Sequence, residues 1–270
     1  MLKDITLGQF FPGNSPVHRM DPRTKLIILV AYIVALMILA SGWLSYALLL
    51  GFLVVAVVIS RIPLKALVRG MKPIVLILVF TGLLNLFLTD GQKVLVDVWI
   101  IRITMEGVVR AFLMMSRILM LLAGTFLLTY TTSPISLTDG LESLLGPLKK
   151  IRFPVHELAM IMCLALRFIP LLIEETDKIM SAQKARGADF ENGNLIQRVK
   201  ALIPILIPLF IGSFRRADEL STAMECRCYH GGDGRTKMKL LRYKRLDLIT
   251  FLIGAVLLVG VILLNSYLPV

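Results

Sequence analysis

The longest apolar stretch of the chain, Leu26 to Ser60, is too long to be one membrane-spanning helix. Its 35 residues would form a helix of about 52 Å, whereas the hydrocarbon core of a bilayer is about 30 Å thick. Ser41-Gly42 lies near the middle and is followed by Trp43, a pattern typical of a turn at the membrane surface. The stretch therefore predicts two spanning helices, at about 24–41 and 43–60.

Three more apolar stretches can form spanning helices, at about 73–88, 108–130 and 248–267. The composition agrees, since 57% of the residues are hydrophobic and 18% are charged, whereas soluble domains are about one quarter charged. The polar, proline-containing segment before Leu26 does not indicate a cleaved signal peptide. The predicted fold class is an all-α integral membrane protein with about five transmembrane helices.

The region 131–247 has a different character, because its apolar segments are short and interrupted. Leu158–Ile173 contains Arg167 and Pro170, and Leu195–Ile211 contains two prolines. Charged stretches with helical periodicity follow each segment, which favours long amphipathic helices at the cytosolic interface over clean spans. Three domains are thus predicted: a transmembrane domain at 1–130, a cytosolic or interfacial helical domain at 131–247, and a final transmembrane helix at 248–270.

The positive charges predict the orientation. Residues 1–25, 61–72 and 131–247 hold 26 of the 30 Lys and Arg, so these segments are expected on the cytosolic side and the carboxyl terminus outside. This bias also accounts for the net charge of +12. The region 131–247 holds 13 Asp and Glu as well, and no stacking aromatic motif accompanies it, so nucleic-acid binding is rejected.

Two arginines, Arg186 and Arg227, lie at matching positions of a weak two-fold repeat. "TDKIMSAQKARGA" (Thr176–Ala188) aligns with "ADELSTAMECRCY" (Ala217–Tyr229), and a proline-containing apolar helix precedes each copy. Each copy is an amphipathic stretch that ends in a small residue, an arginine and another small residue.

Two interpretations of these arginines remain open. Each can be a helix carboxyl terminus, where an arginine meets the negative end of the helix dipole and Gly187 adopts the left-handed cap conformation. That interpretation fits the second copy less well, because Cys228 is poorly suited to a left-handed conformation. Alternatively, each arginine can project from a helix end into a groove of a partner and form forked hydrogen bonds there. Two copies would then imply two similar sites on a pseudo-symmetric partner.

A few other charged residues are candidates for a structural or functional role. Arg110 and Arg117 share one face of the fourth predicted span, where charge is costly, and Arg110 could pair with Glu106 one turn earlier. Asp21 and Arg23, with Lys25 beside them, precede the first span, where they can anchor it at the membrane surface or contact a partner.

The chain lacks the patterns of a metal site or an enzyme. No histidine has a neighbouring ligand pair at zinc spacing, no phosphate-binding loop or hydrolase motif occurs, and no cofactor is expected. The cysteines form no disulfide framework and are expected to be reduced. The histidines and cysteines of the chain are His18, His156, His230, Cys163, Cys226 and Cys228.

Three stretches, in this order, identify a family resemblance: "PGNSPVHRMDPRTKL" (Pro12–Leu26), "KARGA" (Lys184–Ala188) and "MECRCY" (Met224–Tyr229). With its hydropathy profile over essentially the whole length, the chain resembles the transmembrane T component (EcfT) of energy-coupling factor transporters. These transporters are a branch of the ABC transporters that imports vitamins and some metal ions.

The resemblance implies a non-catalytic coupling subunit with three kinds of partner. Two ABC-type ATPase subunits would bind ATP and receive the helix ends at Ala185–Gly187 and Cys226–Cys228. A membrane-embedded, substrate-binding S component would lie against the same helical region, and the lipid bilayer would surround the spans. The second end departs from the family's Ala-Arg-Gly pattern at both small positions, which would fit a heterodimeric ATPase pair. The docking residues implied are Ala185, Arg186, Gly187, Cys226, Arg227 and Cys228.

Two other classes of function are the alternatives. A secondary transporter or channel would favour inverted transmembrane repeats and polar residues at mid-bilayer, whereas the repeat found here lies outside the predicted spans. An interfacial membrane transferase should show clustered acids or histidines, and the sequence has none.

Overall fold

The computed structural model describes residues 10–39, 42–89, 94–98, 101–188, 190, 195–232 and 240–267. In this part of the chain nearly all regular structure is helical, which confirms the predicted all-α membrane fold. The helices are α1 (Pro16–Arg19), α2 (Pro22–Val34), α3 (Trp43–Ser60), α4 (Leu64–Met71), α5 (Val75–Leu88), α6 (Met105–Thr131), α7 (Pro134–Leu144), α8 (Val155–Ala185), α9 (Leu195–Cys226) and α10 (Arg245–Tyr267).

Short elements of other kinds extend or connect these helices. A π-helical turn, Ala35–Leu39, continues α2, and two 3-10 turns, Lys72–Ile74 and Gly146–Ile151, precede α5 and α8. Strands β1 (Val94–Val98) and β2 (Ile101–Thr104) form an antiparallel hairpin between α5 and α6. This hairpin was not predicted from the sequence.

Six helical segments of the described chain, rather than about five, are long and apolar enough to cross a membrane by length and composition. Five lie near the stretches identified from hydropathy, and the sixth is α8. The expectation that 158–173 and 195–211 are short interrupted segments is wrong. They belong to the continuous helices α8 and α9, of 31 and 32 residues, which run through their prolines. A proline within a helix removes one hydrogen bond and bends the helix, but it does not have to end it.

The chain divides into two compact units. One consists of Gly8–Gly140 and Leu241–Val270, and the other of Leu141–Leu240. The core of the first unit is built where α2, α3, α6 and α10 meet, and it includes Leu36, Leu49 and Val261, each fully buried. The division into domains at residues 130 and 247 stays a prediction.

Buried hydrogen bonds at one end of this helix group join the start of α2 to the start of α10. The side chain of Asp21 caps α2 by accepting from the backbone N–H of Arg23 at 3.0 Å. The backbone N–H of Asp21 in turn donates to Oδ1 of Asp247 at 2.8 Å, while Oδ2 accepts from the N–H of Lys244 at 2.7 Å. Only 1% of Asp247 is exposed, so these amides and this carboxylate satisfy one another away from solvent.

Lys25 joins the same end of α2 to the end of α6. Its Nζ donates to the carbonyl oxygen of Thr131 at 2.9 Å and to Oγ1 of Thr132 at 3.1 Å. A cation is favourable there, because the last carbonyls of a helix are unpaired and carry the negative end of its dipole. Lys25 is therefore buried in a structural contact rather than extended toward the membrane surface as an anchor.

Asp21 and Arg23 also have structural roles in this unit. The guanidinium of Arg23 lies over the ring of Tyr243 at 5.4 Å, and its Nε is 3.8 Å from Oδ1 of Asp21. The motif Asp-Pro-Arg-Thr-Lys thus ties α2 to the ends of two helices that are distant in sequence.

Asp247→Ala should lower the free energy of unfolding by about 1–3 kcal/mol, because the buried N–H of Asp21 loses its acceptor. Thermal unfolding in detergent measures the change. Asp218→Ala, the same substitution at an exposed position of α9, is the control and should change stability by less than about 0.5 kcal/mol. Equal midpoints for the two variants would show that the Asp247 contact contributes little.

Candidate functional site

The first arginine stands at the carboxyl end of α8, in a regular Schellman cap. Arg186 is the capping residue, and Gly187 follows it in the left-handed region at a φ of 89°. The N–H of Gly187 donates to the carbonyl of Lys184 and that of Ala188 to the carbonyl of Gln183, both at 3.0 Å. These two bonds satisfy carbonyls that the helix would otherwise leave unpaired.

The second arginine stands in the same motif at the end of α9. Arg227 is the capping residue, and Cys228 has a φ of 55°. The N–H of Cys228 donates to the carbonyl of Glu225 at 2.9 Å, and the N–H of Tyr229 donates to the carbonyl of Met224 at 3.1 Å. The expectation that the cap interpretation fits the second copy less well is therefore wrong. The backbone bonds hold Cys228 in a conformation that costs a residue with a Cβ atom about 1–2 kcal/mol.

Both helix ends present their arginine to the outside. Arg186 and Arg227 are exposed, and so are the small residues on either side of each. Among the residues that the structure describes, neither guanidinium has a hydrogen-bonding or ion-pair partner. Each end thus carries a free, planar donor group beside small side chains that permit a close approach.

Helices α8 and α9 meet about two thirds of the way along each helix, where a salt bridge joins them. Nη2 of Arg216 lies 2.7 Å from Oε2 of Glu175, and both side chains are about three quarters buried. Gly212, one turn before Arg216, faces the same carboxylate; a Cβ atom there would lie 2.9 Å from Oε1 of Glu175. The glycine therefore permits α9 to approach Glu175 closely.

The two helices run past each other in opposite directions. Glu175 contacts Arg216, while two turns later on α8 the side chain of Gln183 donates to the carbonyl of Pro204 at 3.4 Å, earlier on α9. Beside the crossing is a cavity of about 370 Å³, lined by residues that include Phe168 and Leu220. Apolar side chains of both helices thus lie beside the salt bridge.

The crossing is equally far from the two arginines. Arg186 follows Glu175 by the same number of positions as Arg227 follows Arg216, about three helical turns in each case. At the rise of an α-helix, each end extends about 16 Å beyond the salt bridge. The two partners of the salt bridge are 41 positions apart, which is also the offset of the sequence repeat. In the structure, the weak sequence repeat thus corresponds to two helix ends that are equally far from one salt bridge.

The other charged candidates lie within the first unit. Arg117 donates from Nε to the hydroxyl of Tyr46 at 2.8 Å and joins α6 to α3. Arg110 is exposed, and its pairing with Glu106 stays a prediction. Within the described ranges no group of three His, Cys, Asp or Glu side chains could hold a metal ion.

Neither the salt bridge nor the buried carboxylate of Asp247 was predicted from the sequence. Glu175 and Arg216 each lie among several charged residues, and only their separation, equal to the offset of the repeat, could have singled them out as a pair. Asp247 is one acid among basic residues before the last apolar stretch, and no local pattern indicates that it is buried.

Known proteins resemble this chain over nearly its whole length. Residues 13–238 match the family CbiQ, described as cobalt transport protein. The chain is 51% identical over 262 residues to the energy-coupling factor transporter transmembrane protein EcfT of Thermosediminibacter oceani, covering 97% of this chain and 98% of that protein. It is 51% identical over 268 residues to the EcfT protein of Ruminiclostridium cellulolyticum (98% of each). It is 43% identical over 263 residues to that of Lactococcus lactis subsp. cremoris (97% of this chain, 98% of that protein).

Exchanging the two left-handed residues should have opposite effects on the two helix ends. Cys228→Gly removes the strain of a Cβ atom and should stabilise the last turn of α9 by about 1 kcal/mol, whereas Gly187→Cys should destabilise the last turn of α8 by a similar amount. Hydrogen exchange of the amides of the capping residues measures both. Faster exchange in Cys228→Gly than in the unmodified chain would contradict the cap geometry.

Proposed function

Because this chain belongs to the family of CbiQ and of the EcfT transmembrane proteins of energy-coupling factor transporters, we propose that it is the coupling subunit of such an importer. In this proposal it transmits the ATP-driven motion of two ATPase subunits to a separate membrane protein, the S component, which binds the substrate. The substrate is a vitamin or another micronutrient. The chain itself catalyses no reaction and binds no cofactor.

The observation that carries this proposal is the pair of arginine-bearing helix ends. Both have the same backbone cap, both guanidinium groups are exposed, and the two are equally far from one crossing. Two like ends suit two like partners, such as the subunits of an ATPase dimer. A guanidinium can enter a groove and pair there with carboxylates or backbone carbonyls, while the small neighbours allow the partner to approach.

The proposed docking sites are the tripeptides Ala185–Gly187 and Cys226–Cys228. They share the cap and differ in the small residues: Ala and Gly flank one arginine, and two cysteines flank the other. The difference in shape supports two non-identical ATPase subunits, with one docking site for each end.

The crossing supplies a physical route for the motion. If ATP binding brings the two ATPase subunits together, the docked ends must move relative to each other, and α8 and α9 must turn about their contact. Rigid-body movement of packed helices is an established way to transmit such a change. The S component, against the same helical region, would then reorient in the membrane.

The proposed orientation places the docking ends in the cytosol, where the ATPases would bind. The amino terminus and residues 131–247 lie inside, as the distribution of Lys and Arg indicates, and the carboxyl terminus lies outside. Helix α8 is long and apolar enough to span, but in this proposal α8 and α9 lie at the cytosolic interface.

Arg186→Glu combined with Arg227→Glu should abolish copurification of the ATPase subunits and ATP-dependent uptake. Each arginine contributes charged hydrogen bonds, and the loss of each should weaken binding about tenfold or more. The matched control is Lys178→Glu with Arg215→Glu, which makes the same change of charge at exposed positions of the same two helices. The docking proposal fails if the arginine double variant assembles and transports as well as this control.

Reversing the charge of one partner in the salt bridge should make the relative position of α8 and α9 more variable. Spin labels at positions 184 and 225, in a chain without native cysteines, should give a broader distance distribution for Glu175→Arg or Arg216→Glu. The double exchange should restore a narrow distribution by re-forming the pair in reverse. In the assembled transporter each single variant should hydrolyse ATP with reduced uptake. An unchanged distribution in both single variants would show that the salt bridge does not set the geometry.

A further inference from the structure

Helix α4 carries an exposed basic edge for which the described structure provides no acidic partner. Lys65 and Arg69 are four residues apart on one side of the helix, Lys72 follows three residues later at the start of the 3-10 turn, and all three are exposed. Arg61 adds a fourth exposed cation where α3 ends. None of the four forms a salt bridge among the described residues. The sequence has no Asp or Glu between Asp21 and Asp90, so this cluster has no acid nearby along the chain.

The opposite edge of α4 packs closely on α6. A Cβ atom at Gly70 would lie 2.8 Å from the hydroxyl oxygen of Tyr130, so a larger residue there would displace that side chain. The hydroxyl of Tyr130 also donates to the carbonyl of Ala66 at 3.4 Å, and Leu67 is buried. These contacts fix the rotation of α4 about its axis, and so they fix the direction in which its basic edge points.

A third edge of α4 is apolar and open. Leu64 is 67% exposed and Val68 is 59% exposed, and both lie next to the basic edge on the helix surface. An exposed apolar edge beside a basic one is the pattern of a helix that lies in the plane of a membrane interface.

The position of α4 in the chain places it at a membrane boundary. It begins shortly after α3 ends, and through a 3-10 turn it leads into α5. Tyr130, which α4 contacts, is the penultimate residue of α6, so α4 lies at the level where three spans end or begin. At such a level, basic side chains would reach the headgroups, while Leu64 and Val68 would reach the first acyl carbons.

We propose that the basic edge of α4, formed by Arg61, Lys65, Arg69 and Lys72, binds the anionic headgroups of membrane phospholipids. Charge complementarity identifies the occupant: four cations without acidic partners face the lipid boundary, and a phosphate-bearing headgroup with net negative charge neutralises them. The contact with Tyr130 makes the site rigid, and the apolar edge receives the acyl chains of the same lipids. The site is independent of the ATPases and of the two docking ends.

A tryptophan at position 68 reports which lipids lie beside α4. The chain carrying Val68→Trp, with Trp43→Phe and Trp99→Phe, is placed in vesicles of phosphatidylcholine and phosphatidylglycerol, and quenching is measured with one or the other lipid brominated. Each basic residue near the surface contributes about a fivefold preference for anionic lipid. Quenching averages over all lipids near the tryptophan, including lipids that are not bound to the basic edge. The measured preference is therefore expected to be smaller, at least about threefold. The preference should fall at high salt. The control chain keeps Trp43 as its single tryptophan. Trp43 is the first residue of α3, so it lies at the membrane surface opposite to α4 and should show a weaker preference for anionic lipid.

The triple variant Lys65→Gln, Arg69→Gln and Lys72→Gln should reduce the preference at position 68 to nearly equal binding of the two lipids. Replacement of both lysines by arginine keeps the charge and should retain the preference. If the triple glutamine variant folds poorly, the single variant Arg69→Gln takes its place. It should show a lower preference for anionic lipid at position 68 than the variant with both lysines replaced by arginine.

A second triple variant controls for net charge. Lys149→Gln, Lys150→Gln and Arg152→Gln remove three exposed cations elsewhere and should leave quenching at position 68 unchanged. An unaltered lipid preference in the α4 glutamine variant would overturn the proposal. So would loss of ATPase copurification without any change in lipid preference, which would identify the basic edge as a protein interface.

Discussion

The buried carboxylate of Asp247 receives two backbone amides at a boundary where the helices end and water is excluded. Helix termini leave N–H and C=O groups unpaired, and such groups are costly to bury unless other partners are found. Here Asp247 accepts from the amides of Asp21 and Lys244, while Lys25 donates to the carbonyl of Thr131. These contacts hold the starts of α2 and α10 and the end of α6 together. These three helix ends are therefore held at one level. Helix α4, with its basic edge, contacts α6 at the same end.

The same requirement shapes the two ends proposed to meet the ATPases. Each ends in a Schellman cap that pairs its last carbonyls within the chain, so neither end needs a partner to complete its backbone hydrogen bonds. The arginine side chains remain available for contacts outside. Cys228 adopts a left-handed conformation that costs free energy, whereas Gly187 adopts one at little cost. The two helix ends therefore share one backbone geometry although the residue type differs. Because the salt bridge between Glu175 and Arg216 is equally far from both arginines, a movement about it would displace the two ends alike.

Periodic features of the sequence predict much of this fold, whereas contacts between distant residues do not follow from it. Long apolar stretches identify most of the spans because a bilayer demands apolar helices of a set length. The interruptions at Pro170 and Pro204 misled the interpretation of α8 and α9, since a proline bends a long helix without ending it. The capping role of Arg186 follows from the glycine after it. That of Arg227 does not, because the left-handed conformation of Cys228 depends on hydrogen bonds rather than on residue preference.

The pairing of Asp247 with the amide of Asp21 joins residues 226 positions apart, and local patterns carry no information about it. Within the candidate site, the two arginines were found because they repeat, whereas their common crossing became visible only in three dimensions. Local sequence thus indicates which residues are special, and packing decides how they are combined.

The central claim is that two equivalent helix ends dock into two ATPase subunits, and photo-crosslinking tests it most directly. A photoreactive residue at position 185 or 226, next to each arginine, is activated in membranes that contain the assembled transporter, and the adducts are identified by mass spectrometry. The account predicts that each position crosslinks to an ATP-binding subunit, with one subunit for each end. Crosslinks from both positions to lipid alone, or to one membrane protein without ATP-binding motifs, would contradict it.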